Sequence, residues 1–250
     1  MTATHRVARP ENVALGVTTI VATALAMSFG DAVVKRVSTD FTVWQIYVAR
    51  SVLAIPLIVA LLAWGARPVR LSPESAGWAC LRSLLLMLMW LAFYAALSVL
   101  SLPVVAAAYY TAPLFIAVFS ALIAGEAVGI KRWIAILIGF AGVVAMLRPG
   151  TGAFSWLTLL PILSAAFYAL AAIVTRTRCA DDRPLALSLA LNVAFLLTGV
   201  TGSAVILLWT PSADLAEASP FLLGQWSAMG MREWQIIAML AVLILSLIHI

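Results

Sequence analysis

Charge is scarce in this chain. Asp, Glu, Lys and Arg together make up 10% of its 250 residues, while 64% are hydrophobic. Soluble domains carry about 25% charged and about 45–50% apolar residues. No soluble fold of this length hides so much apolar surface, so the bilayer has to act as the solvent. Histidine and cysteine are scarcer still: His5, His249, Cys80 and Cys179. Their spacing matches neither a zinc site nor a CxxC pair, so no metal is expected. The formal net charge of +5 is scattered between apolar runs. It forms no basic domain with a core of its own, which argues against nucleic acid as a partner. HExxH, GxSxG and a phosphate-binding loop are all missing, as are paired intramembrane carboxylates. Hydrolysis inside a membrane needs a buried Ser–His, Asp–Asp or zinc arrangement, and neither histidine is placed for one. Neither an enzyme nor a cofactor is expected.

What the chain does have is long apolar runs. A membrane span takes about 20 of them in a row. On that basis we expect spans near 13–35, 41–64, 77–98, 102–123, 133–148, 155–175, 185–208 and 234–250. The polar, basic stretch Met1 to Arg9 followed by an apolar run resembles the start of a signal peptide. The run is too long for a signal-peptide core and ends without a small-residue cleavage site, so it is read as an uncleaved first span.

Lys and Arg in the loops set the orientation. With the N-terminus inside, the inner segments hold Arg6, Arg9, Arg67, Arg70, Lys131, Arg132, Arg176, Arg178 and Arg183. The outer ones hold only Lys35, Arg36, Arg148 and Arg232. The excess places the N-terminus in the cytoplasm and both cysteines at the side where thiols stay reduced. The 209–233 loop, with Trp209, Trp226 and Trp234 in or beside it, is then external and rests at the interface.

The hairpin from Leu102 to Gly150 organises the first half. Its first helix carries Tyr109, Tyr110 and Pro113. Its turn sets Glu126 against Lys131 and Arg132, an ion pair or cap worth only about 0–1 kcal/mol. Its second helix carries Gly139, Ala141 and Gly142, small residues that allow close helix approach. Gly125 and Gly129 lie in the turn and say little about dimerisation. A weak repeat is also visible. Ala24 to Arg36 aligns without gaps on Ser164 to Arg176, and after a short insertion Arg50 falls opposite Asn192. A repeat of five helices is odd-numbered, so the second copy must be inverted, and a site is expected near the midplane where the halves meet.

Arg50 is the most demanding residue. It lies about nine residues into the second span, roughly 13 Å deep at 1.5 Å per residue. A charge there costs about 2.5–3.5 kcal/mol unless a cavity or partner answers it. Asp31, in the first span, is the nearest anion. The two either lock the helices together as a pair or line a path that binds an anion or relays protons. Lys35, Arg36 and Arg82 are expected to snorkel to the headgroups. Trp90, Tyr94, Tyr109, Tyr110 and Tyr168 fall inside spans, where each polar tip needs a partner or a cavity, or simply packs. Pro113 removes a backbone hydrogen bond in mid-helix and frees a carbonyl near Tyr109 and Tyr110.

Taken together, Leu102-Pro103-Val104-Val105-Ala106, Pro113, Gly125-Glu126 and Gly139-Phe140-Ala141-Gly142-Val143-Val144 resemble the EamA-like members of the drug/metabolite transporter superfamily. Arg50 also sits where many members carry an arginine. The resemblance implies an all-α polytopic transmembrane bundle of two inverted five-helix repeats in the inner membrane, moving small organic metabolites by alternating access, often coupled to protons. The first repeat would span 13–148. The second, 155–250, is incomplete, with about eight helices present of an expected ten. The tail from Leu245 to Ile250 resembles a translated adapter end of sequencing libraries, and the natural protein is expected to be longer. The expected substrate-binding residues are Arg50, Asp31, Trp90, Tyr94, Tyr109, Tyr110 and Pro113, with a small-molecule substrate, membrane lipids and protons as partners and a homodimer left open. The competing expectation is an inactive fragment or a polytopic membrane protein that does not transport.

Overall fold

A computed structural model describes residues 13–64, 74–126, 129–147 and 156–249. The basic N-terminal stretch, the loop with Arg67 and Arg70, and Arg148-Pro149-Gly150 lie outside these. The long helices are α1 (Val13–Val37), α2 (Val43–Trp64), α3 (Ala76–Val99), α6 (Ile130–Leu147), α7 (Leu159–Arg178), α8 (Pro184–Trp209) and α11 (Met231–His249). Two short helices, α4 (Leu102–Tyr109) and α5 (Ala112–Leu122), follow α3; α9 (Ala213–Ala218) and α10 (Pro220–Leu223) follow α8. Among the described residues, five segments are long and apolar enough to cross a membrane: Val43–Ala63, Ala76–Val99, Leu102–Leu122, Trp156–Arg178 and Pro184–Trp209. In hydrocarbon every backbone polar group must be bonded within the chain, which is why apolar runs of this length become helices.

The fourth span is not one kinked helix but two. Pro113 stands in the first turn of α5 rather than in mid-helix. It has no N–H to offer Tyr109 and its ring crowds the preceding turn, so the chain restarts. The break falls at Tyr110–Thr111. Thr111 Oγ1 donates to the Ala108 carbonyl at 2.8 Å, and the N–H groups of Leu114 and Phe115 return to the Thr111 carbonyl at 3.0 and 3.2 Å.

α3 packs along α7 and α8, while α2 lies between α8 and α11. The α2–α8 contact is close because α8 carries glycine where the two meet. A Cβ at Gly199 would stand 2.8 Å from the Trp44 carbonyl oxygen, and one at Gly202 would stand 2.4 Å from the Trp44 ring. The expected close approach at Gly139 and Gly142 is not found. A Cβ at either meets nothing within 4 Å, since that face of α6 is open. The main core gathers Val43, Ile46, Tyr47, Leu97, Val105 and Phe195, all buried. The 210–230 segment closes one end of it. Phe221 is buried in the core, and Trp44 Nε1 donates to the Leu222 carbonyl at 2.7 Å.

The basic side chains also depart from expectation. Lys35 does not snorkel outward. Its Nζ donates to the carbonyls of Leu97 (2.5 Å), Ser98 (3.3 Å) and Leu100 (3.0 Å). These are unpaired acceptors at the C-terminus of α3, where the helix dipole also favours a cation. Arg82 turns inward too, its Nε donating to Thr175 Oγ1 of α7 at 2.9 Å. Glu126 takes an ion pair from Arg176 at 2.6 Å, because α5 packs on α7. Arg36 stays exposed, 3.7 Å from Asp40.

Candidate functional site

Arg50 is 4% exposed in the middle of α2. Its guanidinium carbon stands 4.3 Å from the centroid of the Phe195 ring on α8. The negative face of an aromatic ring attracts a cation, more strongly where water is excluded. Tyr47, one helical turn before Arg50 on α2, packs between the same Phe195 ring and Tyr94 of α3. The demand of Arg50 is met only in part. Arg50 Nε, Tyr47 Oη and Ser51 Oγ are buried without a hydrogen-bond partner. A buried polar atom left unpaired costs about 1–3 kcal/mol, so these atoms are donors with unused capacity along one stretch of α2.

Among the described residues no carboxylate neutralises Arg50. Among the described residues the ion pairs are Arg36–Asp40 and Arg176–Glu126. Asp31, half-buried on α1, is not paired with Arg50. The helix-locking Asp31–Arg50 pair is therefore absent.

Aromatic rings carry the site sideways through the bundle. Phe195 lies 4.7 Å from Tyr47 and Tyr47 6.4 Å from Tyr94, by ring centroids. Tyr94 lies 5.0 Å from Trp90 and 6.1 Å from Phe93. Phe93 meets Tyr109 at 5.4 Å, and Tyr109 meets Tyr168 of α7 at 5.9 Å. These are edge and tilted contacts of the kind aromatic pairs prefer. The path links α8, α2, α3, α4 and α7.

The Trp90, Tyr94 and Tyr109 rings thus lie on one path, which Arg50 joins through Phe195; no contact among the described residues brings Asp31 onto it. Tyr110 does not join them. It is 74% exposed. Adjacent helical residues point about 100° apart, and with Tyr109 turned to Phe93 and Tyr168, Tyr110 faces out at the helix break. Pro113 is exposed as well and acts on the site only through that break. Sequence reasoning overlooked Tyr47, Phe93, Phe195 and Ser51. An aromatic one helical turn from Arg50 was the available signal for Tyr47; Phe195 stands in an apolar run with nothing to mark it.

The arrangement holds no metal-binding group among the described residues. It offers a cation, hydroxyls and ring faces within an apolar bundle, which suits binding an organic solute rather than bond-making chemistry. Residues 14–148 match the EamA-like transporter family. The chain is similar to two proteins named riboflavin transporter. One, from Rhizobium johnstonii, is 36% identical over 92 residues, covering 37% of this chain and 30% of the relative. The other, from Vibrio cholerae serotype O1, is 30% identical over 169 residues, covering 64% of this chain and 55% of the relative. The chain thus spans about half the length, or less, of these curated relatives. With a multi-pass helical bundle and a match over more than half its length, the chain belongs to the EamA-like transporter family, whose members are membrane transporters and not enzymes.

Proposed function

We propose that this chain moves a small, ring-bearing organic metabolite by alternating access around the Arg50 centre. One observation carries the reading: a buried, unneutralised arginine with unused hydrogen-bonding capacity sits on a continuous aromatic path shared by both halves of the chain. A planar solute stacks on Trp90 and Tyr94, and its carbonyl or anionic groups accept from Arg50, Tyr47 and Ser51. Both named relatives carry the word riboflavin, a fused-ring compound with carbonyl acceptors, so riboflavin is the first solute to try.

Helix pairing supports two inverted repeats, 13–148 and an incomplete 155–250. α3 packs on α7 and α8; correspondingly, α11 packs on α1 and α2. Exchanging the halves maps each pairing onto the other and leaves α2–α8, with Arg50 and Asn192, at the centre. In such transporters the substrate lies near the midplane between repeats. The excess of Lys and Arg on one set of loops supports a cytoplasmic N-terminus in the inner membrane. An Asp31 carboxylate without an ion pair among the described residues supports proton coupling.

The test is accumulation or loss of labelled riboflavin and related ring compounds in cells expressing the chain, with Arg50→Ala as the comparison. A fall of about tenfold or more is expected, as for loss of a charged hydrogen-bonding partner. Equal transport by Arg50→Ala removes Arg50 from the site. The competing reading, a chain that inserts without transporting, draws on its covering only about half of its relatives, and predicts no solute movement even for the unaltered chain.

A further inference from the structure

The turn 38–42 between α1 and α2 and the turn 179–183 between α7 and α8 lie at opposite ends of α3. Near the first, Lys35 reaches the α3 C-terminus; the second meets the α3 N-terminus. Each turn clasps the segment leading into a helix of the other half. At the first, Ser227 Oγ donates to the Asp40 carbonyl at 2.6 Å. Gln45 and Ser227 add a reciprocal pair: Gln45 Nε2 donates to the Ser227 carbonyl at 2.6 Å, and the Ser227 N–H donates to Gln45 Oε1 at 3.2 Å. Ser227 precedes α11. At the second, the Asp182 carboxylate accepts from Ser75 Oγ, from the Glu74 N–H at 2.6 Å and from the Ser75 N–H at 3.4 Å. Ser75 is the residue before α3. In the register that sets Arg50 against Asn192, Asp40 falls on Asp182. The clasps are therefore one element used twice, once at each end.

We infer that the Asp40–Ser227 and Asp182–Ser75 clasps are the latches of the two gates, and that their chemistry makes them unequal. This rests on the transport reading above. The Asp182 latch is charge-assisted, an ionised carboxylate accepting three donors, whereas the Asp40 latch uses a backbone carbonyl and a neutral amide. Hydrogen bonds to a charged group are roughly twice as strong as neutral ones. Both latches are closed in this structure, and the end carrying Asp40 and Ser227 opens more readily. A solute bound at Arg50 then exchanges first with that side, and release at the Asp182 side is the slower step.

Cys179 is a built-in reporter of the stronger latch. It is buried, and its Sγ lies 3.7 Å from Ser75 Oγ. With Cys80→Ser it becomes the one cysteine of the chain. Membranes holding this chain are treated with a membrane-impermeant maleimide from either side. Opening the latch with Asp182→Asn or Ser75→Ala is expected to raise Cys179 labelling at least tenfold from the Asp182 side alone, whereas Ser227→Ala leaves it unchanged or lower. Labelling that does not respond to Asp182→Asn and Ser75→Ala overturns the inference. So does an equal rise with Ser227→Ala, which marks general loosening. In a second arm, Ser75→Cys is joined to Cys179 with copper phenanthroline. The disulfide is expected to stop riboflavin movement, and reduction to restore it; movement that continues through the cross-link overturns the inference. If no solute moves even in the reduced protein, the transport reading fails, and the labelling arm, which needs no substrate, still decides the latches.

Discussion

Arg50 of α2 lays its guanidinium 4.3 Å from the Phe195 ring of α8, so a buried cation of the first half is answered by a ring of the second. Phe195→Ala is expected to remove this contact and leave a cavity. Phe→Ala in cores costs about 3–5 kcal/mol, and a desolvated cation–π contact is worth about 2 kcal/mol of it. Phe195→Leu keeps most of the volume and is expected to cost less in thermal unfolding in detergent, while still weakening transport. Equal stability of the two variants would show that the ring face contributes nothing.

Tyr94→Phe deletes the hydroxyl of a buried ring that packs on Trp90 and Tyr47. A neutral hydrogen bond to a solute is worth about 0.5–1.5 kcal/mol, so a loss of solute binding of up to about tenfold is expected with the helical spectrum unchanged. Arg50→Lys tests the cation in turn, because an ammonium keeps the charge but neither the planar stack nor the fork of donors.

Neighbouring tyrosines should behave oppositely. Tyr109 bridges Phe93 and Tyr168, whereas Tyr110 faces out. Tyr109→Ala is expected to lower stability by about 2–4 kcal/mol, as for other buried large-to-small changes, and to impair transport. Tyr110→Ala should stay within about 0.5 kcal/mol of the original chain. Comparable losses at both positions would contradict the placement of the helix break.

Glycine matters on α8 and not on α6. Gly199→Ala drives a methyl against the backbone of Trp44, where nothing can swing aside, and is expected to cost about 1–3 kcal/mol by overpacking. Gly202→Ala meets the Trp44 ring and should be similar, whereas Gly139→Ala and Gly142→Ala enter open space and should be neutral or mildly stabilising. Melting temperatures of the four variants provide the check.

The pH dependence of the Asp182 latch follows from its surroundings. Burial pushes its carboxyl up, but hydrogen bonds from the Ser75 hydroxyl, the Glu74 and Ser75 N–H groups and the Cys179 thiol outweigh this and hold it below the ordinary carboxylate range. A depressed value means that the stabilisation is present above the unfolded carboxyl's range and is lost as pH falls through the lower, folded value. The difference in melting temperature between the original chain and Asp182→Asn should therefore stay constant from neutral pH to about pH 5 and close only in stronger acid. A difference that already shrinks above pH 5 would mean that the carboxylate is not held this way.

Lys35 and Arg82 mark where reading the chain alone runs out. Both looked like residues reaching for headgroups, and both turn inward. Lys35 meets carbonyls at the end of α3, and every residue of the chain has a carbonyl, so nothing in the letters singled these out. Arg50 was legible because a charge in an apolar run has to be answered somewhere. Its answer was not, because Phe195 is one apolar residue among many in α8.

The sequence alone determined that this is a helical, membrane-embedded member of the EamA-like family, roughly where its helices lie, and that Arg50 is costly. These depend on local quantities: the length of an apolar run, the missing N–H of Pro113, the price of a buried charge. The tertiary structure decided that Tyr109 rather than Tyr110 faces the interior, that Asp31 leaves Arg50 unneutralised, that Gly199 and Gly202 rather than Gly139 and Gly142 take the close approach, and that Asp40 and Asp182 clasp opposite ends. Each of these depends on groups far apart in the chain meeting within a few ångströms, which only the packing of helices brings about.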